Sequence, residues 1–284
     1  GGGQFGMCFD DWGNRFVCNN SNHIRVVAME SRYLDRNPYF GGPAVVVDIP
    51  EDGSAAPVFR TSSGEPWRLV RTRWRAASAE RSRYPPTELF PTGYFTSATG
   101  IVIYRGPAFP GEYRGNAFIG DVGGNLVHRK VVEPRGTTFT ARRPENERTS
   151  EFLTSTDNWF RPVGFSEGPD GALYICDMYR ETIEHPLSIP DSIKSFLDLK
   201  SGDDRGRIWR IVPRSFPRQP RPRLAKAAVS ELAAHLASPS SWWRETAQRL
   251  LIERGAHDAD ELLRSMAMDA VQPIARLHAL WTLD

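Results

Sequence analysis

The feature that most constrains this sequence is an internal repeat in its first 213 residues. Three segments share one pattern: FGMCFDDWGNRFVCNNSNHIRVVAM at 5–29, GIVIYRGPAFPGEYRGNAFIGDVGGNLVHRKVV at 100–132, and PVGFSEGPDGALYICDMYR at 162–180, completed by GRIWRIV at 206–212. Each reads as a strand, a turn holding Gly with Asn or Asp, and a second strand ending in Asn or Asp. A connection and a third strand with a basic residue follow. Asn19, Asp121 and Asp177 fall at equivalent places. Arg25, Arg129 and Arg210 fall at approximately equivalent ones. Antiparallel strands repeated in sequential order at this spacing read as propeller blades. The third copy lacks a fourth strand before the chain changes character. Propellers often close the last blade with a strand borrowed from the N-terminal part, which would place it upstream of Gly1. Residues 49–95, rich in Arg, Ser and Pro, interrupt the repeat as a blade cap, a lid or a loop.

The composition shifts near Pro213. RSFPRQPRPR at 214–223 holds charge and proline without an apolar period, so 214–226 reads as an extended, solvated linker. From 227 to 284 the apolar period becomes helical. Trp243, Ala247, Leu250 and Leu251 share one face, with Ser240 or Ser241 as a cap and Gly255 as a stop. A second stripe holds Leu262, Leu263 and Met266. A third holds Ile274, Leu277 and Leu280 behind Pro273. Short amphipathic helices in series look like HEAT or armadillo units, incomplete because such repeats bury their faces only against neighbours. The fold class expected is therefore an all-β propeller, present in part over 1–213, followed by an α-helical HEAT/armadillo-like segment. The start without Met and the stop in mid-pattern at Asp284 mark an expected fragment.

The 36 basic and 34 acidic residues nearly cancel, so charge does not call for nucleic acid. No stretch reaches the roughly 18 apolar residues of a membrane span. No signal peptide is visible. Cys8, Cys18 and Cys176 form no CxxC, no CxxCH and no zinc pattern, and no metal-ligand set is assigned. Cys8 and Cys18 close a hairpin and could face each other, but buried small apolar residues are the favoured reading. GGGQFG at the start is no phosphate loop, because no helix follows.

The stretch 157–186, DNWFRPVGFSEGPDGALYICDMYRETIEHP, concentrates the chemistry. GPDG at 168–171 is a tight turn, so the strands on either side are antiparallel neighbours. The start of the first and the end of the second then share one mouth, which gathers Arg161, Asp177, Tyr179, Arg180 and His185. Long loops on a rigid scaffold commonly carry function. Structural roles compete at each position. Asp177, recurring as Asn19 and Asp121, reads as a turn-stabilising acceptor, and Asp170 as a hairpin residue. Trp159, Phe160 and Trp209 read as core, and His23 and His128 as structural strand residues. A buried Arg161 needs an anionic partner, either a nearby Asp or a ligand carboxylate. His185 is a weak candidate base or metal ligand; a surface-loop histidine is the default.

YFTSATGIVIYRGPAFPGEYRGNAFIGDVGGNLVHR, NWFRPVGFSEGPDGALYICDMYRETIEHP and GDDRGRIWRIVP together resemble the membrane-bound dehydrogenase domain of planctomycete and verrucomicrobial proteins. That domain is akin to sorbosone dehydrogenase and soluble quinoprotein glucose dehydrogenase. The resemblance implies a six-bladed propeller in the periplasm or on the cell surface, followed by HEAT-like repeats. It implies oxidation of a sugar or other alcohol with pyrroloquinoline quinone (PQQ) and calcium. Electrons would pass to a c-type haem domain outside this chain. Arg161, Asp177, Tyr179 and Arg180 are the positions loosely matched to the cofactor side. The competing expectation is a non-catalytic propeller and helical-repeat scaffold that binds glycans or proteins, since helical repeats present concave surfaces.

Overall fold

In the computed structural model the described residues are 4–42, 44–217, 219, 221–255 and 257–284. They form three antiparallel sheets in chain order. β1 (Gly6–Phe9), β2 (Arg15–Cys18), β3 (Arg25–Val27) and β4 (Val46–Asp48) make the first, each paired with the next. β5 (Ala98–Ile103), β6 (Ala117–Asp121), β7 (Leu126–Arg135) and β8 (Thr138–Arg142) make the second, with β9 (Leu153–Thr154) on the near end of β7. β10 (Pro162–Glu167), β11 (Leu173–Asp177) and β12 (Arg207–Ile211) make the third. The three repeat copies are these three sheets, and none of the sheets closes on itself.

The sheets stack face to face, and the period-2 pattern of the strands does the sorting. In the middle sheet, Ile101, Ile103, Ala117 and Ile119 pack with Phe16, Cys18 and Val26 of the first sheet. The alternate residues Val102, Tyr104, Phe118 and Val127 pack with Leu173 and Ile175 of the third. The leading strands approach closely because each carries a glycine at the same register. Gly6 lies opposite Cys18, Gly164 lies opposite Cys176, and Gly100 falls in the bulge between the Ala98–Asp121 and Ile101–Ile119 pairs, opposite Gly120. A Cβ on Gly6 would sit 2.8 Å from the Thr99 carbonyl oxygen and the Ile101 nitrogen. One on Gly100 would sit 2.9 Å from the Val163 oxygen and the Gly164 Cα. No side chain fits between main chains that close.

Register also corrects one sequence equivalence. Arg129 and Arg210 lie opposite the third residue before Asp121 and Asp177, namely Phe118 and Tyr174. Arg25 lies opposite Val17, only two residues before Asn19, so Val26 holds the equivalent place and Arg25 points to the other face. The cysteines are free. Cys8 pairs with Phe16 and Cys18 with Gly6, so the two thiols share a face but are offset along it. Burial pushes them up to about 12 and about 11 respectively.

Residues 49–95 contain a helix, α2 (Pro66–Ala77); α1 (Ser31–Leu34) is a single turn between β3 and β4. A further turn, α3 (Asp191–Lys194), lies in the long β11–β12 connection. After the linker come α4 (Val229–His235), α5 (Ser241–Glu253), α6 (Asp260–Asp269) and α7 (Pro273–Leu283), packed through Leu232, Leu236, Ala247, Leu251, Leu263 and Ala279. Gly255, at φ +56°, ends α5 in the left-handed region, and Pro273 opens α7. On α7 the buried face is Ala275, His278 and Ala279; Leu280 of the expected stripe is 54% exposed. A buried polar network pulls that helix round. No described helix is long and apolar enough to cross a membrane.

That network joins the helices to the sheets. Asp11, in the β1–β2 turn, accepts from Arg114 at 3.1 Å, from Arg105 at 3.5 Å and from Arg244 of α5. Ser241 donates to Glu167 at 2.6 Å, and the Trp243 indole to the Pro169 carbonyl at 2.7 Å. Arg244 Nε donates to His278 Nε2 at 3.2 Å, while His278 Nδ1 meets the Gln248 Oε1 acceptor at 2.7 Å. This pair of bonds requires neutral imidazole with its proton on Nδ1. Burial, and then the Arg244 charge, lower His278 to about 4 from its ordinary 6.5. The unfolded chain takes up that proton first as pH falls through 6.5, so stability is lost from there down to about pH 4. The loss amounts to ~3 kcal/mol in full. Urea unfolding followed between neutral and mildly acidic pH should therefore be steeper in pH for the native protein than for His278→Asn. Equal slopes would remove His278 from the joint.

Candidate functional site

The second strand of each sheet ends in a short polar residue whose side chain caps the turn that follows. Asn19 Oδ1 accepts from the main-chain nitrogens of Ser21 and Asn22. Asp121 Oδ1 accepts from Gly123 and Gly124, each at 2.9 Å. Asp177 Oδ1 accepts from the Tyr179 nitrogen at 2.9 Å and the Arg161 nitrogen at 2.8 Å, and its Oδ2 accepts from the Trp209 indole at 3.0 Å. The Asx turn stops the strand and turns the chain outward at one end of all three sheets. Asp177 is thus brought to the mouth as a structural acceptor.

Arg161 stands at the entrance to β10 with no exposed surface. Its Nε donates to the Arg180 carbonyl at 2.9 Å and its Nη1 to the Val122 carbonyl at 2.7 Å. Its Nη2 donates to the Glu181 carbonyl and to Glu65 Oε1, the latter at 2.6 Å. One guanidinium therefore ties the β6–β7 turn, the segment after β11 and the 49–95 insertion together. Its anionic partner is neither a neighbouring Asp nor a ligand but Glu65, 96 residues away. Burial pushes the Glu65 carboxyl up, but Arg68 and Arg161 together outweigh it and hold it below its ordinary range.

Glu65 precedes α2, whose buried face is Trp67, Arg68, Arg71 and Thr72. Arg68 pairs with Glu65 at 3.0 Å, Arg71 with Glu184 at 2.7 Å and Glu88 at 3.3 Å, and Arg75 with Glu88. The Arg68 and Arg71 guanidiniums also lie over the Trp67 ring, at 4.8 and 5.1 Å from its centroid. Beside it, Arg60 donates to the Gly123 carbonyl and to Ser62, Asn125 and Asn158. Sequence reasoning named none of Glu65, Arg60, Asn125 or Asn158. Asn125, at φ +55°, occupies the left-handed turn position that an Asn after Gly-Gly signals.

The remaining sequence candidates separate. Tyr179 is held at φ +52°, a strained backbone for a bulky residue. The Arg207 guanidinium lies 3.6 Å from its ring centroid, and the Trp159 ring centroid is 5.3 Å away. Arg180 donates to the Lys200 carbonyl at 3.2 Å. His185 is exposed, and its Nδ1 accepts from Leu187 in its own turn. Trp209, read as core, is 42% exposed, with its indole nitrogen donating to Asp177. Phe160 is buried. His23 and His128 are fully buried, with Nδ1 of each against an acceptor: the Ser54 carbonyl at 3.3 Å and Glu151 at 2.6 Å. Burial lowers both well below the ordinary histidine value.

A quinone carboxylate needs guanidinium donors that are unengaged. The three nitrogens of Arg161 already donate to four oxygens, so Arg161 does not fit that role. Among the described residues no three or more His, Cys, Asp and Glu side chains gather to hold a metal ion. What the mouth does offer is a cavity of about 230 Å³ between the start of α2 and the segment after β11, lined by Glu65, Trp67, Asn158, Trp159, Glu181 and Thr182 among others.

Because Asn serves at position 19 where Asp serves at 177, Asp177→Asn should cost only ~1 kcal/mol, the Trp209 bond being the loss. Asp177→Ala should cost ~3 kcal/mol, since it strands two main-chain N–H groups and the indole. Urea unfolding measures both, and equal losses would contradict the capping role.

No curated protein and no solved structure matches this chain. The repeat, its capping residues and the mouth nevertheless lie within one recognised unit. The family model of the domain of unknown function DUF7133 matches residues 1–215, and the chain belongs to that family.

Proposed function

We propose that the chain is a binding scaffold: consecutive blades of a β-propeller whose mouth takes glycans or proteins, joined to a helical array that adds a second surface. The observation that carries this is the contrast between the floor of the mouth and its rim. The floor is spent on itself, with Arg161 and Arg68 both paired to Glu65. The rim is aromatic: Trp159 and Tyr179 touch, and Arg207 lies between the rings of Tyr179 and Trp209, 5.7 Å from the second. Half-exposed aromatic rings with an arginine between them supply contact area at little entropic cost and anchor binding surfaces. The propeller reading is supported by the face-to-face stacking and by the common register of Gly6, Gly100 and Gly164.

A second reading, oxidation of a sugar or alcohol with PQQ and calcium in an exported protein that passes electrons to a haem domain, draws on the resemblance. One observation favours it: the strained Tyr179 backbone, since strain of that kind clusters at functional sites.

Binding to a glycan array and to candidate protein ligands, measured beside dye reduction with PQQ, calcium and a sugar panel, separates the two. The scaffold reading expects binding that Trp209→Ala weakens about tenfold or more, as truncation of an anchor should, and no quinone-dependent reduction. Reduction that needs both PQQ and a sugar would overturn it.

A further inference from the structure

The cavity at the mouth gathers polar groups that the floor network leaves over. It lies between the start of α2 and the segment after β11 and holds about 230 Å³. Trp67 and Thr182 both line it and are 7% and 8% exposed. The Trp67 indole N–H is buried with no acceptor among the described residues. Its ring is held in place, with Arg68 and Arg71 over it and Ile189, Ile193 and Leu197 packed around it. The Thr182 hydroxyl has no partner among the described residues either. Asn158 engages its Oδ1 with Arg60 at 3.3 Å and its main-chain carbonyl with Asn125 at 3.0 Å, which leaves its amide nitrogen. Glu181 gives its main-chain carbonyl to Arg161, and its exposed carboxylate forms no ion pair among the described residues. A buried donor without an acceptor is costly, so its presence beside a cavity points to an acceptor that comes from outside the chain.

These groups select the ligand by charge and by size. Among the described residues no Arg or Lys lines the cavity, and Glu65 is shared by Arg68 and Arg161. An anion would find no free cation there and would face Glu181. A cation would suit Glu181 but leave the Trp67 and Asn158 N–H groups unmet. A hydroxyl meets both needs, because it accepts from an N–H and donates to a carboxylate. Several hydroxyls on one small ring do so together, with half-buried Trp159 and Leu197 as the apolar wall. The cavity is smaller than the ~300–1,000 Å³ of sites for drug-sized ligands, which sets the guest at one ring.

We propose that this cavity is the subsite for one neutral sugar ring at the end of a glycan chain. Trp67 and Asn158 donate to its hydroxyls, Glu181 accepts from them, and Thr182 does either. The proposal rests on the mouth being a binding surface, and of the two ligand classes named for that surface it takes the glycan. The exposed rim aromatics then meet the rest of the chain, while the cavity fixes which end enters.

Isothermal titration with the methyl glycosides of glucose, galactose, mannose and N-acetylglucosamine tests this. At least one should bind, and sodium glucuronate should not compete with it. Thr182→Val keeps the side chain's shape, and Glu181→Gln keeps the main-chain bond to Arg161. Each should weaken binding about three- to tenfold with Tm unchanged, as loss of one hydrogen bond does. A glycoside that binds both variants as well as the native protein, yet is weakened by Trp209→Ala, would overturn the subsite and keep a glycan-binding rim. Preference for glucuronate would overturn the neutral class. A protein ligand bound at the mouth with no glycoside bound would overturn the subsite and keep the scaffold. Binding of neither glycan nor protein would overturn both.

Discussion

A fully buried arginine decides what the mouth of this protein is. A guanidinium without water must find acceptors for its donors and a charge to balance its own, and leaving either unmet costs several kcal/mol. Arg161 meets the requirement with main-chain carbonyls from two turns and a carboxylate from an inserted helix. The position of α2 follows from that bond, because Glu65 lies immediately before the helix. The other ion pairs of α2 follow in turn, since a helix with Arg68 and Arg71 on its inner face can be buried only over Glu65, Glu88 and Glu184. Chemistry at the rim is left to the groups this network does not use.

The stacking of the sheets rests on a simpler constraint, which is main-chain contact. Where a glycine and a bulge meet at 2.8–2.9 Å to a would-be Cβ, register is fixed, because a slip of one residue would bring a side chain into the gap. The Asx acceptors at Asn19, Asp121 and Asp177 mark the same register from the other strand. A chain built this way is a set of like units, each stabilised by its neighbours.

Much of this was legible in the sequence. Turn chemistry and period-2 alternation locate the strands, and the capping role of Asp177 follows from its recurrence. The helical period locates α5 and its Gly255 stop. What was not legible has physical causes. Glu65 lies 96 residues from Arg161, inside a segment whose Arg, Ser and Pro content leaves a blade cap, a lid and a loop equally open, and α2 buries charge where a pattern search looks for apolar residues. Arg25 is one residue out of register with Arg129, which spacing alone does not resolve but pairing does. On α7 the apolar stripe lost to His278, because the Arg244 and Gln248 bonds outweigh burial of Leu280.

The most direct test of the account is a double-mutant cycle between Arg161 and Glu65 in urea unfolding, using Arg161→Met, Glu65→Gln and the pair. A structural floor predicts coupling of ~2 kcal/mol or more between the two positions, since each mutation strands the other group in the interior. Coupling near zero, with Arg161→Met as stable as the native protein, would mean that the guanidinium is held for a ligand. The mouth would then have to be read as a cofactor or substrate site.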